Sequence, residues 1–395
     1  MTTPDGLPNP NGPTWSDRPD VPLRLDGTLF NPAPNENSPT DDLARQIGLQ
    51  VTMAAPGRWT RLAATFALTS TAEHTVAMYA DDQGRAHEFT IPPNVIQMVD
   101  EHRRLSAASP DGPWWRLAVS TEHGQDPAVV EDRGAAEPFA PEYVFPPDVY
   151  REEFRRYPTI AAPLWLLAHA YHDNRQRRPD VVASAPTTIQ VPNRTVDLPD
   201  ADPMWARWAV LAAVTMATGN VYGAGIQPAT AIYEAPGYSG ATLLMLPGRH
   251  AVLSGGTGEN ARLARAYRLG DDLPDLYAGA PGWVTDATLN IRAERGQLTF
   301  CYWYTDGKWH AAHDAEDLSL AAPALPAVGN NVDVTDSLTR LVGVSPTATT
   351  AAQYLVVNAE NRTATRAHLE TLLPDATYEA ISTALNQLQL AGCAS

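Results

Sequence analysis

The stretch EHTVAMYADDQGRAHEFTIP, Glu73 to Pro92, decides the fold class. Val76, Met78 and Tyr79 lead into a polar turn at Asp81 to Gly84, and Phe89 and Ile91 lead out of it. Two β-rich runs joined by an Asp/Gly turn predict an antiparallel hairpin. Immediately after it, PPNVIQMVDEHRRLSAAS opens on prolines, which suit a first helical turn, and sets Val95, Ile96, Val99 and Leu105 on one stripe. Upstream, RWTRLAATFALTS alternates at Leu62, Ala64, Phe66 and Leu68, the period of a half-buried strand. Before that, TDDLARQIGLQVTMAAPG predicts a helix with Thr40 as N-cap and Leu43, Ile47 and Leu49 toward a core. GPWWRLAVSTEHGQ supplies a further strand ending in a glycine turn. Helix, hairpin, helix and strand follow one another without βαβ alternation, so the expected class is α+β.

The same grammar extends along the chain. VFPPDVYREEFRRYP, Val144 to Pro158, predicts a short helix started by its prolines, with Tyr150 and Phe154 four apart on a core-facing side. APLWLLAHAYHDNRQRR predicts the next helix. The Pro-rich and polar segment from residue 179 to 202 reads as a linker. MWARWAVLAAVTMATG then opens a second α+β unit, which closes on amphipathic helices in TRAHLETLLPDATYEAISTALNQLQL. The expected organisation is an extended arm over residues 1–40, a first domain over 41–178, the linker, and a second domain over 203–395. Each domain would be an antiparallel sheet packed by helices. WWRLAVSTEHGQ and GWVTDATLNIRAERGQ each carry Trp at or next to their start and end in Glu-x-Gly-Gln, an echo that suggests a diverged tandem repeat.

With 28 basic against 45 acidic residues, the formal charge is −17. A nucleic-acid binder needs basic patches to neutralise phosphate, and an anionic membrane attracts cations, so neither partner is expected. The two cysteines, Cys301 and Cys393, make no disulfide framework or CxxC pair, which suits a reducing cytoplasm. The N-terminus has no apolar run of signal-peptide kind, and no apolar stretch is long enough for a spanning helix.

Catalytic signals are thin. LSGGTGENARLAR has glycines at 255, 256 and 258 but no lysine, and Glu259 opposes an anion, so a surface turn is expected rather than a phosphate loop. His310 and His313, with Asp314 adjacent, could supply metal ligands or a hydrolase-type site in the second domain. His169 and His172 have a similar spacing, and His102, His123 and His250 read as surface or loop residues. No GxSxG elbow is present. Paired carboxylates such as Glu152 and Glu153 are expected to be solvated on helix surfaces. No catalytic residue, metal site or cofactor is assigned.

A different signal lies between Glu122 and Glu153, where nine acids stand against two arginines and Phe139, Tyr143, Phe145 and Tyr150 are interleaved. Acids can steer and rim a basic partner while aromatics anchor it. The candidate partner-binding residues are therefore Glu122, Asp126, Glu131, Asp132, Glu142, Tyr143 and Asp148.

The run from a Pro-Gly-x-Trp-led strand through MYADDQGRAHEFTIP, a helix, GPWWRLAVSTEHGQ and EYVFPPDVYREEFRRYP resembles the YezG-like immunity proteins of bacterial polymorphic toxin systems. The features fall on Trp59, Tyr79, Pro113–Trp114, Gly124 and Glu142–Tyr143. The ending at Pro147, Tyr150, Tyr157 and Pro158 is similar to that of actinobacterial members. The likeness spans about residues 42–160 and does not extend to the DPAVVEDRGAAEPFA segment or the second half of the chain. It implies a cytosolic, non-enzymatic protein that binds and neutralises a cognate toxin. A scaffold protein is the remaining alternative to that reading and to the hydrolase.

Overall fold

A computed structural model of the chain describes residues 39–134, 139, 143–176, 193–285 and 288–394. Its helices and two antiparallel sheets are α+β, as the hairpin-plus-helix pattern requires. The chain divides into two units, Met1–Pro163 and Leu164–Ser395.

In the first unit, α1 (Pro39–Ala54), β1 (Arg61–Leu68), β2 (Glu73–Ala80), β3 (Ala86–Glu88), α2 (Pro93–Ser106), β4 (Arg116–Glu122), β5 (Ala128–Asp132) and α3 (Pro147–Arg156) follow in order. The five-stranded sheet has the order β3-β2-β1-β4-β5. Its β2–β3 turn is fixed by Asp81, whose carboxylate accepts the N–H groups of Gln83 and Arg85, each at 2.9 Å, and the Arg85 side chain. These bonds, led by the Arg85 N–H, hold the Asp81 carboxyl far below the usual carboxylate range. The expected outgoing strand stops early: β3 ends at Glu88, and Phe89 and Ile91 lie beyond it.

Leu62, Ala64, Phe66 and Leu68 of β1 join Ile47, Val51, Val95 and Val99 in one core, so α1 and α2 cover that face. The strand is more than half-buried, however, because Ala63, Thr65 and Ala67 on its other face are also enclosed. They are small, and over them Tyr143 packs edge-on to His74, while Phe139 lies 4.1 Å from the Arg116 guanidinium. Trp114 and Trp115 serve opposite sides. The first donates its indole N–H to His102 of α2, and the second packs edge-on against Tyr150 and Phe154 of α3. The two aromatics of α3 are thus core, as their four-residue spacing predicts.

The second unit starts at α4 (Leu164–Tyr171), a segment expected from the sequence in the first domain. It continues through β6 (Asn193–Val196), α5 (Ala201–Thr218), β7 (Gly223–Gln227), β8 (Thr230–Ala235), β9 (Ser239–Leu246) and β10 (His250–Gly256). Then come α6 (Ala261–Leu269), α7 (Ile291–Glu294), β11 (Phe300–Thr305), β12 (Lys308–Ala312), α8 (Leu318–Ala321), α9 (Asn331–Val342), α10 (Pro346–Glu360), α11 (Arg366–Leu372) and α12 (Tyr378–Leu390). The seven strands are ordered β6-β12-β11-β10-β9-β8-β7. The apolar helix α5 is buried almost along its whole length and lies against α12 and β7. The buried N–H of Ile226 on edge strand β7 donates to the Gln387 side chain at 2.7 Å, which closes that edge locally.

Three expectations change here. The linker expected over 179–202 contains strand β6, paired with β12, and residues 177–192 are outside the described set. The described residues of GWVTDATLNIRAERGQ, read as a strand from its echo of β4, form turns and the short helix α7, capped by Asn290, while residues 286 and 287 lie outside the described set. The sheets also differ in strand number and order, which leaves the tandem-repeat expectation without structural support. Of the expected N-terminal arm, residues 1–38 lie outside the described set, and α1 begins at Pro39.

Candidate partner-binding surface

The antiparallel register determines which of the expected contact residues can act together. Arg61 faces Glu122 across β1 and β4, and Arg116 faces Asp132 across β4 and β5. The seven residues of β4 therefore separate Glu122 from the Arg116–Asp132 pair by roughly 20 Å. The acids are not one patch.

At the Arg116 end the groups are mostly spent on the fold. Asp132 accepts from Nε and Nη2 of Arg116 at 3.0 and 2.5 Å, and from the Gly134 N–H at 2.7 Å. Glu131 pairs with Arg133 at 3.0 Å. Tyr143, expected at the partner surface, is only 5 % exposed and is a core ring. Glu142, along with Glu137, lies outside the described residues. Asp148 is exposed in the first turn of α3, where a carboxylate favours the helix dipole.

Glu153 departs furthest from its expected solvated role. Completely buried, it accepts from Arg103 Nη2 at 2.5 Å and from the Ser70 N–H at 2.8 Å. Arg103 also donates to the Trp114 carbonyl at 3.1 Å. A buried carboxylate survives only when its charge and lone pairs are so matched. The signal was present in the sequence as one acid of a pair on the same side as Tyr150 and Phe154.

The opposite end of the sheet is different. Glu122 and Asp126 are exposed on the β4–β5 turn, and neither forms an ion pair among the described residues. Trp59, half-buried, meets the exposed His123 edge-on at 5.2 Å. Two unspent carboxylates beside an aromatic pair form a small surface that can present negative charge and apolar area together. Sequence reasoning named the two acids and read the adjacent His123 as a surface or loop residue, but it missed Trp59 as their neighbour, because the β1–β4 register that brings it there is not local.

In the second unit the histidines singled out in the sequence are placed as follows. His310 stacks on Trp303 in the sheet, His313 is exposed, and the Asp314 carboxylate is held by Arg262 at 3.1 Å. Among the described residues there is no group of three or more His, Cys, Asp or Glu that could hold a metal ion. His172 is buried, with its ring edge-on to Tyr267. The glycines of the expected surface turn are interior: Gly255 and Gly256 are buried in β10. Cys301 and Cys393 form no disulfide and are buried, and burial pushes the Cys393 thiol up to about 11.

A cleft of about 60 Å³ lies at the start of α5, lined by Asp200, Asp202, Met245, Arg249, His250 and Tyr304. The Tyr304 hydroxyl donates to Asp200 at 3.0 Å, and His250 stacks on Trp283 at 4.7 Å. Burial, and then the Asp200 carboxylate, raise the Tyr304 phenol, which keeps it a neutral donor. No helix among the described residues is long and apolar enough to cross a membrane. No protein-family model matches the chain, and no curated protein is significantly similar to it.

Proposed function

We propose that the protein is an immunity or antitoxin-like binding protein of YezG-like kind, which neutralises a basic bacterial toxin domain by occupying it. One observation carries this reading: the exposed, unspent carboxylates of Glu122 and Asp126 beside the Trp59–His123 pair. The chain's net charge of −17 supports it by favouring encounter with a cationic partner. The reading uses no catalytic residue and no cofactor, and it places the protein in the bacterial cytosol, where a toxin would have to be held off.

The test is co-expression with the toxin-like product of the neighbouring gene, followed by copurification and a survival assay. The wild-type protein is expected to copurify and restore growth. The double variant Glu122→Arg/Asp126→Arg is expected to weaken binding at least about tenfold, chiefly through slower association at low salt. Survival that is the same with and without the wild-type protein sinks the reading.

A further inference from the structure

The cleft at the start of α5 brings together charges of both signs that do not pair. Asp200 and Asp202 line it from the helix, and Arg249 lines it from the β9–β10 turn. All three are exposed, yet no guanidinium nitrogen of Arg249 lies within 4.0 Å of either carboxylate. Among the described residues the Asp202 and Arg249 side chains form no hydrogen bond, and the Tyr304 hydroxyl takes only Oδ1 of Asp200. Solvated surface charge is cheap, and an acid in a first helical turn is ordinary.

Three further features of the same lining are not ordinary. Asp200 is the N-cap residue of α5, but its side chain caps no backbone N–H and is held at 3.0 Å by Tyr304 instead. Arg249 stands at φ 61°, in the left-handed region that a non-glycine residue occupies only at a cost. The His250 ring is fixed on Trp283 at 4.7 Å, and its Nδ1 is buried without a hydrogen-bond partner among the described residues. A forgone cap, a strained arginine and an orphaned ring nitrogen therefore converge on one cavity.

We propose that this cleft binds a small zwitterionic amino acid, its ammonium between Asp200 Oδ2 and Asp202 and its carboxylate on Arg249. Charge sets the class. A lone cation would meet Arg249, and a lone anion would meet two carboxylates, whereas a ligand carrying both charges one or two carbons apart satisfies each side. Met245 and the His250 ring supply the wall for those carbons. The volume of about 60 Å³ is about four times the smallest space that holds a water, which suits a few heavy atoms and is too small for a nucleotide or a sugar chain. The site lies within the second unit and does not depend on the toxin-binding reading.

The test is amide NMR of the full chain at about pH 7, titrated at constant ionic strength with glycine, β-alanine, ethylammonium and acetate up to about 50 mM. Glycine or β-alanine is expected to shift the Asp202, Arg249 and His250 resonances saturably, while ethylammonium and acetate bind at least about tenfold more weakly. Asp202→Asn and Arg249→Gly should each weaken the zwitterion about fivefold or more. Glycine takes a positive φ without cost, so the second variant keeps the turn and decides alone if the first does not fold. No saturable shift with either zwitterion overturns the proposal. So does ethylammonium or acetate binding as tightly as the zwitterion, or Arg249→Gly binding it unchanged.

Discussion

At the scale of single residues, the first unit depends on a carboxylate that sequence pattern placed in water. Glu153 has no exposed surface and joins Arg103, Ser70 and, through Arg103, the Trp114 carbonyl. Three segments distant in sequence meet at this one side chain. Removing one partner of a buried pair strands the other charge, at a cost of about 3–5 kcal/mol, although the pair itself can be nearly neutral relative to a well-packed apolar substitute. Glu153→Ala should therefore unfold the first unit at markedly lower denaturant, with a loss of about 3–5 kcal/mol. Glu153→Gln should lose less, because its amide oxygen can still accept from Ser70. The double variant Arg103→Leu/Glu153→Leu should be less destabilised than the two single changes predict when added. Equal losses for Glu153→Ala and a surface change such as Glu152→Ala would show that the pair carries no such weight.

At the scale of elements, the glycines of β10 show how one motif can be read in two ways. Gly-Gly-x-Gly ahead of a helix suggested a turn on local evidence, since loops and close-packed backbones both select glycine. The contacts separate the two. A Cβ on Gly256 would stand 1.9 Å from the Gln297 carbonyl oxygen, and one on Gly258 would stand 1.5 Å from that of Gly237. Backbone cannot yield as a side chain can, so Gly256→Ala should cost about 3 kcal/mol, the upper end of overpacking penalties. Gly225 of β7 has open space at the Cβ position, and Gly225→Ala should stay within about 1 kcal/mol of the parent. Thermal or denaturant melts of the two variants check this, and equal stabilities would contradict it. The hairpin at Glu73–Pro92, α2 and the core role of Tyr150 and Phe154 were all legible, because each rests on spacing within a few residues. The fates of Glu153, His102 and Tyr143 were not, because burial there depends on partners 12 to 83 positions away or on which sheet face a later segment covers. The split of the acidic candidates between two ends of β4 has the same cause: register is a property of the sheet, while proximity in sequence is one-dimensional.

At the scale of the whole molecule, the useful question is where the second unit begins. Composition put the start at residue 203, because Pro-rich polar sequence usually links domains. The contacts of the segment before it say otherwise. Gln176 bonds both the N–H and the carbonyl of Leu298, each at 2.9 Å, in the buried approach to β11. Strand β6 pairs with β12, and Arg194 donates to the carbonyls of Ala315 and Glu316 at 3.1 and 2.9 Å. Asp200 accepts from Tyr304, and the Pro199 carbonyl accepts from the Trp309 indole at 2.7 Å. Helix α4 packs on α6. A fragment cut at 203 loses all of these and leaves a buried tyrosine, a buried indole and the backbone of Leu298 without their partners, each worth about 1–3 kcal/mol. A fragment spanning Leu164–Ser395 keeps them, and it also keeps the continuous core built around Trp208, Trp303 and Trp309. The longer fragment should be recovered folded and melt in one cooperative transition by circular dichroism. The shorter should either fail to fold or bind a hydrophobic dye and melt without cooperativity. If the fragment starting at residue 203 melts as sharply and at the same temperature as the longer one, then α4 and β6 are appendages, and the unit begins where composition placed it.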